Sequence, residues 1–530
     1  MIVFSLAMKA LFKKKIEFIK SHPRVDIAFL LIGLVLFAVI TLVTITKTSI
    51  WFDEAFSLYI TQFSFLEIAQ FTAVDVHPPL YYWLLKVWEM LFGTSETAIR
   101  SLSVLFGAVT VTISYLLSRR LFGRLAAGVT LLFLIVSPML IRYSEEGRMY
   151  TLAAAFVMGA TYLLVKAMES NRRRTWVFYG ILVGLGMWTH YFTALIWITH
   201  WIWRAVVLKR GTTKPKAFLK KFFTKNWIIA HVVAIGIFLP WLPFMFKQLT
   251  GLQGSGFWIA GVGIDSSTNY LSNLFYYLDH GKVLAWAAFL LFVVVVGLAV
   301  LAVRSYRSFN RADKNKYLLI TMLAIAPVLI LFVASLPPLR SSFVERYLLP
   351  AVVGFAVFAA VTIVVGTRKW HIAARIAAIA LPLGMMIYGV SNVYIQGNYN
   401  KNSDTHIMTR ELIADIAAKA QPGEPIIANS PWIFYEAVYY ETPDHPVYFI
   451  DKNTPYIYGS VEMLRQSNMH KIKDLAAFLK EHPKVWYIGV SDSEILAPEG
   501  ETNWTKLDAI YTTSPINGRM QYRGTQFQTN

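Results

Sequence analysis

Residues 51–88 read WFDEAFSLYITQFSFLEIAQFTAVDVHPPLYYWLLKVW and follow directly on the first long apolar run, 27–45. Within 38 positions they hold Asp53, Glu54, Asp75, His77 before Pro78-Pro79, and Lys86, all set among aromatics. A loop that only joined two membrane helices would have no use for such a set. Ionisable groups at or near membrane depth are costly and mark a site or a pathway. A second polar cluster, 142–150 (RYSEEGRMY), also interrupts apolar sequence. The fold class and the site both follow from asking where these two clusters lie relative to a bilayer.

The chain around them is 56% hydrophobic and only 15% charged, against about 25% charged in ordinary soluble domains. Mean hydropathy is +0.49. The apolar runs are long and continuous rather than alternating, so the expected class is an all-α polytopic membrane domain and not an outer-membrane barrel. There are no cysteines, which excludes disulfides, thiolate metal sites and cysteine nucleophiles. Residues 1–26 read as a basic cytoplasmic lead-in, because the apolar stretch before Lys13-Lys14-Lys15 is too short for a cleaved signal.

A crossing needs about 20 apolar residues. About eleven are expected, near 27–46, 96–118, 125–142, 149–167, 175–189, 192–208, 227–246, 283–303, 317–336, 343–366 and 373–395. With the N-terminus inside, the inner segments collect Arg119, Arg120 and Arg124, then Lys166 and Arg172–Arg174, then the lysine-rich 204–225 stretch, then Arg304–Lys316 and Arg368–Arg375. That is the positive-inside pattern. The net charge of +19 is thereby assigned to topology and anionic lipid, with no nucleic acid as partner. An odd number of crossings places the C-terminus outside. Residues 396–530 lose the apolar runs and read as a small extracytoplasmic α/β domain, with helical periodicity at 404–420 and 469–481 and strands at 425–428, 447–450 and 485–490. Residues 27–395 form the membrane domain.

Both polar clusters then fall on the outer face. Asp53 and Glu54 follow the first crossing; a carboxylate there can take a proton from an acceptor hydroxyl, or can serve as an acidic first-turn residue of the next helix. Asp75 and His77 sit two apart in an extended segment, so both face one way. That suits a divalent metal or an anionic phosphate, or a capping aspartate beside an interfacial histidine. Lys86, two helical turns past Pro79, either reaches a phosphate or snorkels. Arg142, Glu145, Glu146, Arg148 and Tyr150 combine paired N–H donors for phosphate with carboxylates for acid or base work; the alternative is a self-satisfied ion network. His190, Tyr191, Arg340, Glu345 and Arg346 are further outer-side groups at the ends of crossings, while Asp265 and Asp279 read as solvated charges. Charges at mid-membrane are nearly absent, which argues against an ion-coupled transporter.

WFDEA after the first crossing, then DVHPPLYYW, GTSETAIRSLSVLFG, RYSEEGRMY and WTHYF, resemble bacterial members of glycosyltransferase family 39. These are the protein O-mannosyltransferase-like proteins, which share the GT-C membrane fold with aminoarabinose transferases. The resemblance covers 25–210 well, fades towards 395 and stops before the C-terminal domain. It implies an inverting hexosyl- or pentosyltransferase of the plasma membrane, taking a sugar from a polyprenyl-phosphate carrier to an extracytoplasmic acceptor (a protein hydroxyl, a lipid or a polysaccharide). It implies that Asp53 is the catalytic carboxylate. Glu54, Asp75 and His77 would line the donor phosphate or a metal, with Arg148 and Lys86 as phosphate contacts. Where the mannosyltransferases carry an aspartate before the fourth crossing, this chain has Gly147-Arg148 after two glutamates, which leaves the second carboxylate role open. The rival readings are a flippase for lipid-linked glycans, which calls for polar residues through the bilayer, and a non-catalytic envelope protein that binds glycan.

Overall fold

A computed structural model describes residues 23–212, 214–254, 259, 261–278, 284–396, 399–400, 405–451, 470–490, 504–513, 518 and 520–529. The basic lead-in before Pro23, and Asp279, lie outside the described residues. The chain starts with α1 (Pro23–Leu42), a crossing helix, and then drops into three short helices, α2 (Phe52–Thr61), α3 (Phe65–Val74) and α4 (Leu80–Phe92). Ser64 caps α3 by accepting from the Glu67 N–H, and Glu67 answers at the Ser64 N–H. The Pro78-Pro79 pair then launches α4, with Pro79 at its N-cap.

Next come α5 (Glu96–Phe122), α6 (Arg124–Ile135), α7 (Pro138–Ser144), α8 (Tyr150–Ser170), α9 (Arg173–Thr189) and α10 (Ala194–Lys209). Gly123, at φ 86°, makes the reversal between α5 and α6 that a side chain would resist. Pro138 starts α7 after a break, and the two apolar helices α6 and α7 are bent by 57° to one another. A short basic helix, α11 (Pro215–Phe222), precedes α12 (Lys225–Phe238) and α13 (Leu242–Gly254). Then follow α14 (Ile264–Phe275), α15 (Ala285–Ser308), α16 (Arg311–Ala334), α17 (Leu349–Gly366) and α18 (Ile372–Gln396).

Among the described residues nine helices are long and apolar enough to cross a membrane, or ten if the bent pair α6–α7 is one crossing. The remaining expected crossing, 175–189, is α9, a helix of 17 residues. The α17 helix is the hub, with 83% of its apolar window buried, whereas α1 and α15 have 22% buried. The rows of exposed Leu, Val and Phe on α1 and α15, such as Leu31, Val35, Phe289 and Phe292, are surface that only lipid covers. At the hub, Gly354 lets the Leu323 backbone approach to where a Cβ would meet it at 3.0 Å.

The C-terminal part is the expected α/β unit. It contains β1 (Tyr399–Asn400), β2 (Thr405–His406), α19 (Thr409–Lys419), β3 (Ile426–Ala428), α20 (Pro431–Tyr439), β4 (Val447–Ile450), β5 (Lys471–Ile472), α21 (Leu475–Glu481), β6 (Lys484–Val490), β7 (Trp504–Thr513) and β8 (Met520–Thr529). Six strands order as β5-β4-β3-β6-β8-β7, parallel from β5 to β6 and antiparallel beyond. The central β3, Ile-Ile-Ala, is buried throughout, as a strand covered on both faces must be. One side of the sheet has its own core around Ile427, Val485 and Phe527. The other merges through α19 and α20 with the core of the membrane domain.

Candidate active site

Asp53 lies in the first turn of α2, on the side of the bundle that carries the C-terminal domain. Its side chain is 19% exposed. Arg148 Nε stands 3.9 Å and Arg346 Nη2 3.7 Å from Asp53 Oδ2. Both distances exceed a hydrogen bond, so the contacts are charge on charge. The backbone beneath is held more tightly. The Asp53 carbonyl accepts from Arg148 Nη1 at 3.1 Å and from Ser57 Oγ at 2.8 Å. Arg148 also donates to the Ser57 and Tyr82 hydroxyls, while its Nε has no hydrogen-bond partner among the described residues. Arg346 lies over the rings of Trp51, Tyr150 and Tyr347 at 5.6–5.9 Å. Contact with three rings at once suits a broad guanidinium better than a compact ammonium.

The rest of the wall is aromatic and imidazole. His190 packs against Tyr347 at 4.9 Å, His77 at 5.6 Å and Tyr150 at 5.8 Å between ring centroids. Burial pushes both imidazoles below the ordinary histidine range, His190 furthest, and for His77 the Asp75 carboxylate partly opposes this. Asp75 and His77 do face the same way, 3.6 Å apart. They supply two donors, and among the described residues no group of three or more His, Asp or Glu is placed to hold a metal. Two donors are too few to hold a resident divalent ion at this site.

Glu54 was expected beside Asp53 in the chemistry. The structure gives it another task. It is fully buried, with Arg100 donating to both of its oxygens at 2.8 Å and the Gly147 N–H donating to Oε1 at 2.8 Å. Its acceptor sites are filled by the scaffold, and it ties α2 to α5 and to the 145–149 turn. Lys86 is likewise redirected. Its Nζ bonds the Thr61 carbonyl at 2.7 Å, capping the C-terminal end of α2 away from Asp53. Arg142 pairs with Glu146 at 3.0 Å, and Glu145 accepts from Thr44 Oγ1. This is part of the ion network that the sequence left as the alternative, although Glu146 Oε1 is buried without a hydrogen-bond partner among the described residues and Arg148 turns to Asp53 instead. Burial raises both glutamates to about 7, although Arg142 acts against it. Tyr191 turns from the site to bond Gln248, Glu345 accepts from Asn273, and Arg340 is exposed on the loop before Glu345.

The site therefore gathers Asp53, His77, Asp75, Arg148, Tyr150, His190 and Arg346, with Tyr82 and Tyr347. Arg100 was not foreseen as a site residue. Its signal was present, since a lone arginine one turn into an apolar crossing must have a partner.

Residues 76–244 match the family model described as dolichyl-phosphate-mannose-protein mannosyltransferase. An undecaprenyl phosphate-α-4-amino-4-deoxy-L-arabinose arabinosyl transferase of Pseudomonas savastanoi pv. phaseolicola is 24% identical over 188 residues, 34% of this chain and 33% of that protein. A putative mannosyltransferase, YkcB, of Bacillus subtilis is 23% identical over 181 residues, 32% of this chain and 25% of that protein. The matches thus take in a third or less of these relatives' lengths. The likeness of fold is wider. The crystal structure of ArnT from Cupriavidus metallidurans in the apo state superposes with a TM-score of 0.59 at 14% identity, covering 94% of this chain and 98% of that one. Its form bound to undecaprenyl phosphate gives 0.55, also at 14% identity, covering 94% and 97%. The resemblance found in the sequence motifs is borne out, and the likeness of fold to ArnT covers 94% of the chain, beyond the membrane domain.

Proposed function

We propose that the protein is an inverting membrane glycosyltransferase that moves a sugar from a polyprenyl-phosphate carrier to an acceptor hydroxyl outside the cytoplasm. The observation that carries this reading is Asp53. It is a partly exposed carboxylate whose neighbouring cations, Arg148 and Arg346, stay beyond hydrogen-bond distance and leave its oxygens open. The matched arabinosyl transferase is named for an undecaprenyl phosphate-linked sugar, and the ArnT structure holds undecaprenyl phosphate; both support a lipid-linked donor here.

In the reaction the acceptor oxygen attacks the anomeric carbon from the face opposite the phosphate. Its proton passes to the Asp53 carboxylate, and the bond from the anomeric carbon to the phosphate oxygen breaks. The leaving group departs as a polyprenyl phosphate anion. It needs cationic stabilisation more than a proton, and the buried Arg148 and the partly exposed Arg346 provide positive charge beside the base. Depressed His77 and His190 stay neutral at pH 7, so they act as hydrogen-bonding walls and add no further charge. Arg119, Arg120 and Arg124, with Arg172–Arg174, lie at the opposite helix ends. This supports a cytoplasmic N-terminus and a C-terminal domain on the outer side of the plasma membrane.

The test is transfer of label from a polyprenyl-phosphate sugar in membranes carrying Asp53→Asn. A loss of about 10²–10⁴-fold is expected, the span typical of a removed general base. Wild-type rates in that variant would overturn the assignment.

A further inference from the structure

Residues 43–51 join the first crossing to α2 without helix or strand, and Ile45, Thr48, Ser49 and Ile50 within them are buried. A buried loop must find side-chain partners for its backbone N–H and C=O groups. Arg100 takes the carbonyls of Ile45, Thr48 and Ser49. The C-terminal domain takes others. From α19, Arg410 Nη1 donates to the Thr46 carbonyl at 3.1 Å, and Glu411 accepts from Ser49 Oγ at 2.7 Å. From the C-cap of α20, the Tyr440 hydroxyl accepts from the Ile50 N–H at 2.7 Å. That hydroxyl has one proton, and it goes to Glu96 at the start of α5. Arg410 Nη1 holds the same carboxylate at 2.9 and 3.1 Å. Glu96, at 9% exposure, thereby turns the acceptor side of the Tyr440 hydroxyl towards Ile50. The first turn of α20 meets Phe52, with the Trp432 and Tyr435 ring centroids 6.1 and 5.9 Å from that ring.

We propose that Tyr440, its hydroxyl set by Glu96 and Arg410, is a positioning residue for the transfer reaction, through which the C-terminal domain fixes the start of α2 and so the stance of Asp53. The N-cap of α2, Trp51, lies between Ile50, bonded to Tyr440, and Phe52, packed against α20. Asp53 is the next residue. Its carboxylate stands 3.7 Å from Arg346 and 3.9 Å from Arg148. A shift of about 1 Å at the start of α2 would close either gap into a hydrogen-bonded ion pair. The oxygen that has to take the acceptor's proton would then be occupied. Misplacement on that scale costs up to about 10²-fold in rate. The pair of Glu54 with Arg100 holds the same turn from the scaffold side. The fold therefore survives loss of the Tyr440 hydroxyl, while the aim of Asp53 does not.

The proposal rests on the reading of Asp53 as the base, and one of its two measurements needs no sugar. Tyr440→Phe keeps the ring and removes the hydroxyl. Tyr439→Phe is the control, because the Tyr439 hydroxyl bonds the Thr94 carbonyl at 2.8 Å, a contact of the same domain with the loop before α5. In full-length protein in detergent, hydrogen–deuterium exchange is followed for peptides covering 46–56. Tyr440→Phe is expected to raise exchange there about fivefold, the worth of one hydrogen bond, with Tyr439→Phe at the wild-type level. In the transfer assay Tyr440→Phe lowers kcat about tenfold with the donor KM within about twofold, and Tyr439→Phe is unchanged. Wild-type exchange or wild-type kcat in Tyr440→Phe overturns the proposal. So do equal losses in the two variants, which would make both hydroxyls general docking contacts. A wild type that transfers no sugar ends the reading of Asp53 as the base, whereas the exchange data still decide whether Tyr440 holds the start of α2.

Discussion

Glu54 and Arg100 form a two-point ion pair, Oε1 to Nε and Oε2 to Nη2, both at 2.8 Å, with neither side chain exposed. The pair lies directly beneath the turn that presents Asp53. Adjacent carboxylates have thus been separated by environment into a buried anchor and a partly exposed carboxylate. A buried pair is weak evidence for added stability, but breaking it strands a charge. Glu54→Gln should therefore lower stability by about 3–5 kcal/mol, read as a fall in thermal midpoint in detergent. Asp53→Asn should leave that midpoint nearly unchanged while transfer is lost. Equal midpoints in the two variants would contradict the division of roles.

Arg346 and Arg148 flank Asp53 at similar distances but are tied differently. Arg148 also supports the Asp53 carbonyl, Ser57 and Tyr82, so its removal damages the site and the fold together. Arg346 stacks on Trp51, Tyr150 and Tyr347. Arg346→Lys keeps the charge but loses the planar contacts, so it is expected to reduce kcat about 10–10²-fold with little change in thermal midpoint. A lysine variant of full activity would show that charge alone suffices at this position.

Glu146 makes a stability prediction with a defined sign. Burial raises its carboxyl to about 7 from an ordinary value near 4.5. The folded state then holds a proton that the unfolded chain releases between those values. Its contribution is complete below about pH 4.5 and is lost as pH rises to about 7. His77 and His190, held below their ordinary range, push the opposite way as pH falls. The comparison must therefore be between wild type and Glu146→Gln. The difference in unfolding free energy should change by about 1–3 kcal/mol across pH 4.5–7, in the direction that wild type weakens relative to glutamine as pH rises. A difference that is flat with pH would place Glu146 outside this account.

Much of this arrangement was legible in the chain because membrane burial makes polar residues conspicuous. Asp53, His77, Arg148, His190 and Arg346 all stood out as ionisable groups at the outer ends of apolar runs, and the structure gathers them around one carboxylate. What sequence could not separate was which way each side chain turns. Glu54 and Lys86 sit within the same stretch as Asp53, yet one step along a helix rotates a side chain by about 100°, enough to send Glu54 into the scaffold. The C-terminal contribution was hidden for a different reason. Residues 431–439, PWIFYEAVY, read as easily as a buried strand as a helix, and β7–β8 pair with each other through polar-rich sequence. The bond from the Ile50 N–H to the Tyr440 hydroxyl spans 390 positions, a separation to which no local pattern is sensitive.

Lys86 offers a direct contest between the sequence reading and the geometry. As a phosphate ligand, it would control the affinity for a lipid-linked donor. In the structure its ammonium bonds the Thr61 carbonyl at 2.7 Å and lies 6.0 Å from the Phe65 ring centroid, closing the end of α2. Lys86→Met keeps the apolar stem and removes the donor. The expected outcome is a loss of about 1 kcal/mol of stability, the usual worth of one such bond, with the donor KM within about twofold of wild type. A rise in KM of about tenfold or more at unchanged stability would show instead that Lys86 swings to the donor phosphate during turnover. The end of α2 would then be a moving part of the site and not its fixed floor.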